Sequence, residues 1–396
     1  MNVAEATLPR VQIGAASHAA VVPWYCYALV FGVACIPIGV LWDISWHSTV
    51  GRDTFWTPAH MVTYLGGLIP GLTCGWIALK THFWGTPRER EAAVSFWGFR
   101  APIGAWVTIW GAFTMILSAP FDDWWHNAYG LDVEILSPPH SVLALGMFAV
   151  GVGVLLLLTS VQNRSGATQA FESWMVIALF GLLVIMAGVF LTEKGLPNLQ
   201  RTGDFYKFSA ATFPLYLVAA VRTAKLRCPA TTAAAIYMIV NLMINWTLPL
   251  FAAEPKLAPI YHPVDRMVPL AFPMILIAPA LAIDLIMLWW GERRGFFRDC
   301  LLAIVLGIAF LGIFLAVQWY FAEFMISPAA DNWFFTGNRF WPYYANPNEW
   351  WTKFWQDRPW VNDPLTVRKL GIALVLSIIA SRIGLGIGNW LSKVRR

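Results

Sequence analysis

The segment DISWHSTVGRDTFWTPAH, residues 43–60, decides how the rest of the chain reads. It carries Asp43, Trp46, His47, Gly51, Asp53, Thr57, Pro58 and His60. The segment DDWWHNAYGLDVEILSPPH, residues 122–140, repeats the order as Asp122, Trp125, His126, Gly130, Asp132, Ser137, Pro138 and His140. Both copies reduce to D-x-x-W-H-x-x-x-G-x-D followed by [ST]-P-x-H. The Asp and first His are four residues apart in each, so on a helix they share a face one turn apart. Glycine then supplies a turn. Ser or Thr before Pro is a helix start, with the hydroxyl residue at the N-cap and Pro at the first helical position. Each copy therefore predicts a helix–turn–helix hairpin that brings one carboxylate and two imidazoles together at its tip.

The surroundings of these hairpins read as membrane. Of 396 residues, 58% are hydrophobic and 12% charged, against about 25% charged in soluble domains. Ten helices are expected, at 21–42, 59–80, 99–118, 141–160, 172–192, 208–222, 232–252, 267–290, 299–324 and 367–391. Most reach the roughly 20 apolar residues that a bilayer crossing needs. The expected fold is an all-α polytopic membrane protein of about ten transmembrane helices. It divides into a four-helix region, 1–160, that holds both motifs, and a six-helix region, 161–396. The latter includes a loop over 325–366 with Trp333, Trp341, Trp350, Trp351, Trp355 and Trp360. Tryptophan favours the headgroup level, so this loop is expected to cap the bundle at the interface.

Basic residues set the orientation. Lys80, Arg88, Arg90 and Arg100, then Arg222, Lys225 and Arg227, then Arg293, Arg294 and Arg298, and finally Lys393, Arg395 and Arg396 all fall at one end of the expected bundle. The positive-inside bias makes that end, and both termini, cytoplasmic in a bacterial inner membrane, with both motifs on the periplasmic side. The first helix reads as an uncleaved span rather than a signal peptide. The net charge of +5 does not indicate nucleic-acid binding, because no loop combines clustered Lys and Arg with stacking aromatics. Five scattered cysteines without a C-x-x-C pair suggest neither a disulfide framework nor a zinc knuckle.

Asp43, His47 and His60, with Asp122, His126 and His140, are the candidate metal ligands. A carboxylate and two imidazoles near membrane depth are costly unless paired or coordinated. The set suits copper, zinc or non-haem iron. Asp53, Asp123, Asp132 and Glu134 are extra acids, readable as partners that orient the imidazoles, as proton carriers or as solvated charges. Arg52 has no counterpart in the second copy, where Leu131 stands. Asp284 and Glu323 are further acids inside expected helices, Asp284 with Asn241, Asn245 or Arg382 as candidate partners. His262 is read as a loop residue.

At these residues the chain resembles the C subunit of the copper membrane monooxygenases, the family of particulate methane and ammonia monooxygenases. That family carries D-x3-H-x12-H with an R-D-T-x-x-T-P-x-H run, matched by Asp43, His47, Arg52, Asp53, Thr54, Thr57, Pro58 and His60. Its second site, N-x3-H-x13-H, is matched in spacing by Asp122, His126 and His140, with Asp122 where the family has Asn. The similarity covers about residues 40–150. The second half is more faintly similar to the A subunit, through Phe272-Pro273 to Asp284, Asn332-Trp333 and Asn389-Trp390. The resemblance implies copper, with Asp43, His47 and His60 catalytic, and hydroxylation of a small apolar or gaseous substrate drawn from the lipid. It also implies other membrane subunits and a periplasmic cupredoxin-like subunit supplied by another chain. Two alternatives compete with it: a non-enzymatic metal-binding or structural subunit of a larger complex, and a non-haem iron or zinc membrane enzyme.

Overall fold

The computed structural model describes residues 22–130, 137–165, 169–192, 194–291, 293–337, 339–346, 348 and 362–395. In chain order, α1 (Trp24–Thr49) and α2 (Pro58–Trp84) form a hairpin, followed by a short α3 (Pro87–Glu91) and a two-stranded antiparallel ribbon of β1 (Val94–Phe96) and β2 (Phe99–Ala101). A second hairpin follows, α4 (Ile103–Tyr129) and α5 (Pro138–Arg164). Then come α6 (Gln169–Val189), α7 (Gly203–Thr223), α8 (Pro229–Thr247), α9 (Ile277–Trp290), α10 (Phe296–Met325) and α11 (Val367–Leu391). One apolar core runs from Val22 to Leu391 through both halves.

Each of the ten expected segments contains a helix. Among the described residues, eight helices are long and apolar enough to cross a membrane: α1, α2, α4, α5, α6, α8, α10 and α11. The molecule is an integral membrane protein by that measure. Two expected spans fall short. Helix α7 carries Asp204, Lys207 and Arg222, and α9 has 14 residues rather than the 24 of the expected 267–290 segment.

The reason α9 starts late is visible in its approach. Pro269 and Pro273 each remove a backbone donor and disfavour helix before them. Residues 267–276 accordingly run without helical structure, yet most of them are buried. Backbone at such depth survives only where protein satisfies its polar groups. Ser45 Oγ donates to the Val268 carbonyl at 2.5 Å, and Thr49 Oγ1 accepts from Val268 N at 2.8 Å. Asn245 brackets Leu270, accepting from its N and donating to its O, both at 3.1 Å. Tyr237 and Gln318 accept from Met274 N and Ile275 N at 3.2 and 2.9 Å. This strand of chain from the second half is thus laced to α1, immediately below the first motif.

The two motif hairpins are held by close backbone contact. A Cβ on Gly39 would lie 2.7 Å from Thr63 N and 2.9 Å from Ala59 O, so only glycine lets α2 lie this near α1. In the second hairpin a Cβ on Gly111 would lie 2.6 Å from Val150 N and 2.9 Å from Gly146 O. Small residues at the crossing are the usual device where no hydrophobic drive between helices exists. Helices α2 and α4 also pack side by side, with Gly67 against Met115, so both hairpin tips emerge at the same end of the bundle.

The Trp-rich loop is described only in part. Trp333 is exposed and stacks on Trp246, while Trp341 is buried with Phe340 and Ala345 instead of lying at a surface. Trp350, Trp351, Trp355 and Trp360 lie outside the described residues.

Candidate metal centre

Helix α1 continues past Trp42 to Thr49, so Asp43 and His47 occupy successive turns of its last stretch. Gly51 follows at φ +80°, a conformation that favours glycine, and the chain reverses. Pro58 opens α2, which places His60 in its first turn. Thr57 sits at the N-cap position without capping: its hydroxyl accepts from Thr54 N at 2.8 Å and ties down the turn instead. The second copy follows the same plan. Asp122 and His126 end α4, Gly130 turns at φ +87°, and Ser137 caps α5 by accepting from His140 N at 3.4 Å.

The donors converge. In the first cluster Asp43, His47 and His60, and in the second Asp122, His126 and His140, each offer one ligand atom within 4.8 Å of the others, all half-buried. In the first, Nε2 of His60 is 3.1 Å from Asp43 Oδ1 and Nε2 of His47 is 3.7 Å from Asp43 Oδ2. In the second, Nε2 of His126 and Nε2 of His140 are each 3.5 Å from Asp122 Oδ1. All six candidate ligands are therefore brought into two groups as their spacing predicts.

The backbone decides which imidazole nitrogen faces inward. Nδ1 of His60 is 2.9 Å from the Thr54 carbonyl, and Nδ1 of His126 is 2.9 Å from the Gly130 carbonyl. A carbonyl only accepts, so each Nδ1 carries the hydrogen and donates. Nε2 of a neutral ring is then a bare lone pair aimed at carboxylate oxygen. Asp43 Oδ1 is buried, with His60 Nε2 as its neighbour at 3.1 Å. Acceptors crowded onto acceptors repel unless a proton or a metal cation sits among them. A ring held by one nitrogen on a carbonyl while the other points into a shared space is the usual arrangement around a bound metal. The residues present fit a transition-metal ion.

Asp53 joins the first cluster, with Oδ2 3.5 Å from Nε2 of both His47 and His60. The His47 imidazole beside it holds the Asp53 carboxyl below the usual carboxylate range, so it stays ionised. Asp123 does not join the second; it is exposed and bonded to Asn127 at 3.3 Å. Asp132 and Glu134 lie outside the described residues. Two participants had no role in the sequence reading. The Thr54 carbonyl is backbone, and no residue type announces it. Tyr64, one turn beyond His60, brings its ring centroid within 6.2 Å of the imidazole, which the i, i+4 spacing could have flagged.

The two tips differ in cover. Tyr343 N donates to Ser48 O at 3.0 Å and Lys256 N to Val50 O at 2.9 Å, so chain from the second half lies over the first tip. A Cβ on Gly51 would run into the Tyr343 phenol, whereas one on Gly130 would meet nothing within 4 Å among the described residues.

The remaining polar candidates lie outside both clusters. Asp284 accepts from Ala230 N at 3.1 Å, Thr231 N at 2.8 Å and Thr231 Oγ1 at 2.7 Å. It caps the N-terminus of α8 from a neighbouring helix, and its partners are not Asn241, Asn245 or Arg382. Glu323 pairs with Arg201 at 2.5 Å, and that guanidinium also lies over Trp319. Arg222 is buried in the last turn of α7, 3.6 Å from Asp299. His262 is exposed, outside both clusters, its N donating to Tyr343 O at 2.8 Å. Compared with protein-family models, with curated proteins and with solved structures, the chain matches none.

Proposed function

We propose that this protein is a membrane metalloprotein that holds a transition-metal ion at each hairpin tip, and that it acts as a copper-dependent membrane oxygenase or the catalytic-type subunit of one. The observation that carries the metal reading is the pair of acid–imidazole clusters in which Nδ1 of His60 and of His126 is engaged by a carbonyl while Nε2 faces a carboxylate. Copper and oxygen chemistry rest on the motif resemblance at residues 40–150; the donor set also suits non-haem iron and zinc.

In this reading Asp43, His47 and His60 bind the ion of the first site, and Asp122, His126 and His140 that of the second. Copper, when bound, supplies the redox chemistry of dioxygen activation. The protein's part is positional. The Thr54 and Gly130 carbonyls fix two imidazoles, the carboxylates neutralise charge, and the tight α1–α2 and α4–α5 crossings hold the donors in register. The apolar faces below would deliver a small apolar or gaseous substrate from the lipid. The tips would face the periplasm, where a cupredoxin-like subunit and other membrane subunits would meet them.

The test is metal analysis of the purified protein beside turnover by membranes. The expected result is two ions per chain, with one lost in His47→Ala and the other in His126→Ala. Membranes containing the protein and its partner chains should oxidise a small hydrocarbon or ammonia. Protein that takes up no metal refutes the metalloprotein reading. Bound metal without turnover would reduce it to a binding subunit, and iron or zinc in place of copper would change the class of chemistry.

A further inference from the structure

We propose that Asp53 is a metal ligand, the fourth donor of the first cluster, which makes that cluster a two-imidazole, two-carboxylate site for a divalent cation. The proposal rests on the metal-binding reading above and adds a residue, a charge and a coordination number to it.

Three observations converge. The first is which nitrogen Asp53 faces. A residue that only orients a ligating histidine bonds the ring nitrogen turned away from the metal. For His60 that nitrogen is Nδ1, and the Thr54 carbonyl already holds it. Asp53 Oδ2 instead approaches Nε2 of His60 and Nε2 of His47, both at 3.5 Å, the nitrogens that also face Asp43. It therefore stands where a ligand stands.

The second observation is metric. With metal–donor bonds of about 2.1 Å, neighbouring donors of a tetrahedral ion are about 3.4 Å apart, against about 3.0 Å for adjacent donors in a square plane. The four nitrogen–oxygen separations of the cluster are 3.1, 3.5, 3.5 and 3.7 Å. Each lies within about 0.3 Å of the tetrahedral edge, with Asp43 presenting Oδ1 to His60 and Oδ2 to His47. Asp53 falls outside the group of three whose donors all lie within 4.8 Å of one another. A divalent ion therefore has to draw the two carboxylates together, and its attraction for both offsets their mutual repulsion.

The third is local rigidity. Asp53 lies between the Gly51 turn and Thr54, whose N is held by Thr57 Oγ1 and whose O holds His60. The arm that carries the carboxylate is thus bonded to the start of α2 on both faces of the next residue. Two carboxylates with two neutral imidazoles sum to −2, which balances a divalent ion.

The experiment uses full-length detergent-purified protein with His126→Ala, so that the first site reports alone, and cobalt(II) as the probe, whose visible spectrum reads coordination geometry. The four-donor site should give a four-coordinate spectrum. Asp53→Asn should weaken cobalt binding by about 100-fold or more, beyond the 10–100-fold typical of a residue that only supports a ligand, and change the spectrum. Asp53→Cys should introduce a sulfur-to-cobalt charge-transfer band, which arises only if residue 53 ligates the ion, and serves as the readout should Asp53→Asn fold poorly. If Asp53→Asn binds cobalt with unchanged affinity and spectrum and Asp53→Cys shows no such band, Asp53 is not a ligand while the three-residue site stands. If the His126→Ala protein takes up no cobalt that His47→Ala removes, the metal reading and this proposal fall together.

Discussion

Replacing Gly39 by alanine tests whether helix contact places the ligands of the first site. Gly39 is one turn before Asp43 on α1, and the atoms its Cβ would meet belong to the first turns of α2, beside His60. The added carbon would sit 2.7 Å from Thr63 N and 2.9 Å from Ala59 O, where ordinary contact is 3.4–4 Å. Thr63 Oγ1, closer still, can rotate away, but backbone cannot. The start of α2 must therefore retreat by about 0.7 Å, the shortfall at Thr63 N, and His60 goes with it. Metal–ligand distances tolerate only about ±0.2 Å. The expected outcome is a loss of metal affinity at the first site of about 10–100-fold, or about 1.4–2.8 kcal/mol, with the second site unchanged. Overpacking should also lower stability by about 1–3 kcal/mol. The assay is metal titration of detergent-purified protein in the His126→Ala background beside thermal unfolding. Gly75→Ala, also on α2 but with nothing within 4 Å of the added carbon, is the control; helix propensity predicts no loss there and a gain of up to about 1 kcal/mol. Unchanged affinity and stability in Gly39→Ala would refute the idea that this crossing sets the site.

Asn245→Leu should leave Leu270 N without its acceptor and Leu270 O with Thr336 Oγ1 alone, and cost about 1–3 kcal/mol, read as a lowered melting temperature, with second-site metal content unaffected. Asp284→Ala should uncap α8 and cost about 1–2 kcal/mol without changing metal content, since Asp284 serves helix α8 alone; altered metal content would contradict its structural role. Asp363 predicts an acid limb in stability. Burial raises its carboxyl, but Lys369, the Asp204 amide at 2.8 Å and Lys207 outweigh this and leave it below the ordinary 3.8. Its contribution is thus present above the unfolded value and lost as pH falls through the lower folded value. The difference in melting temperature between the protein and Asp363→Asn should be full at neutral pH and shrink below about pH 4; a difference independent of pH would refute this.

The duplicated motif and the apolar runs are local signals, and they were enough to place ten helices, two hairpins and six converging donors. An i, i+4 acid–imidazole pair, a glycine that must turn and a proline that must start a helix each constrain neighbouring residues only, so the sequence carries them openly. What the chain does at a distance was not legible. The extended stretch 267–276 looks like helix by hydropathy. It is kept otherwise by Ser45, Thr49, Asn245, Tyr237 and Gln318, which come from three other helices. Asp284 had Asn241, Asn245 or Arg382 as its expected partners until α8 supplied its donors. Asp53 was one extra acid among four until folding set it against both imidazoles. Hydropathy and spacing act along the chain and so survive in sequence; the partner of a buried polar group is chosen by whichever helix arrives, and only the packed bundle decides that.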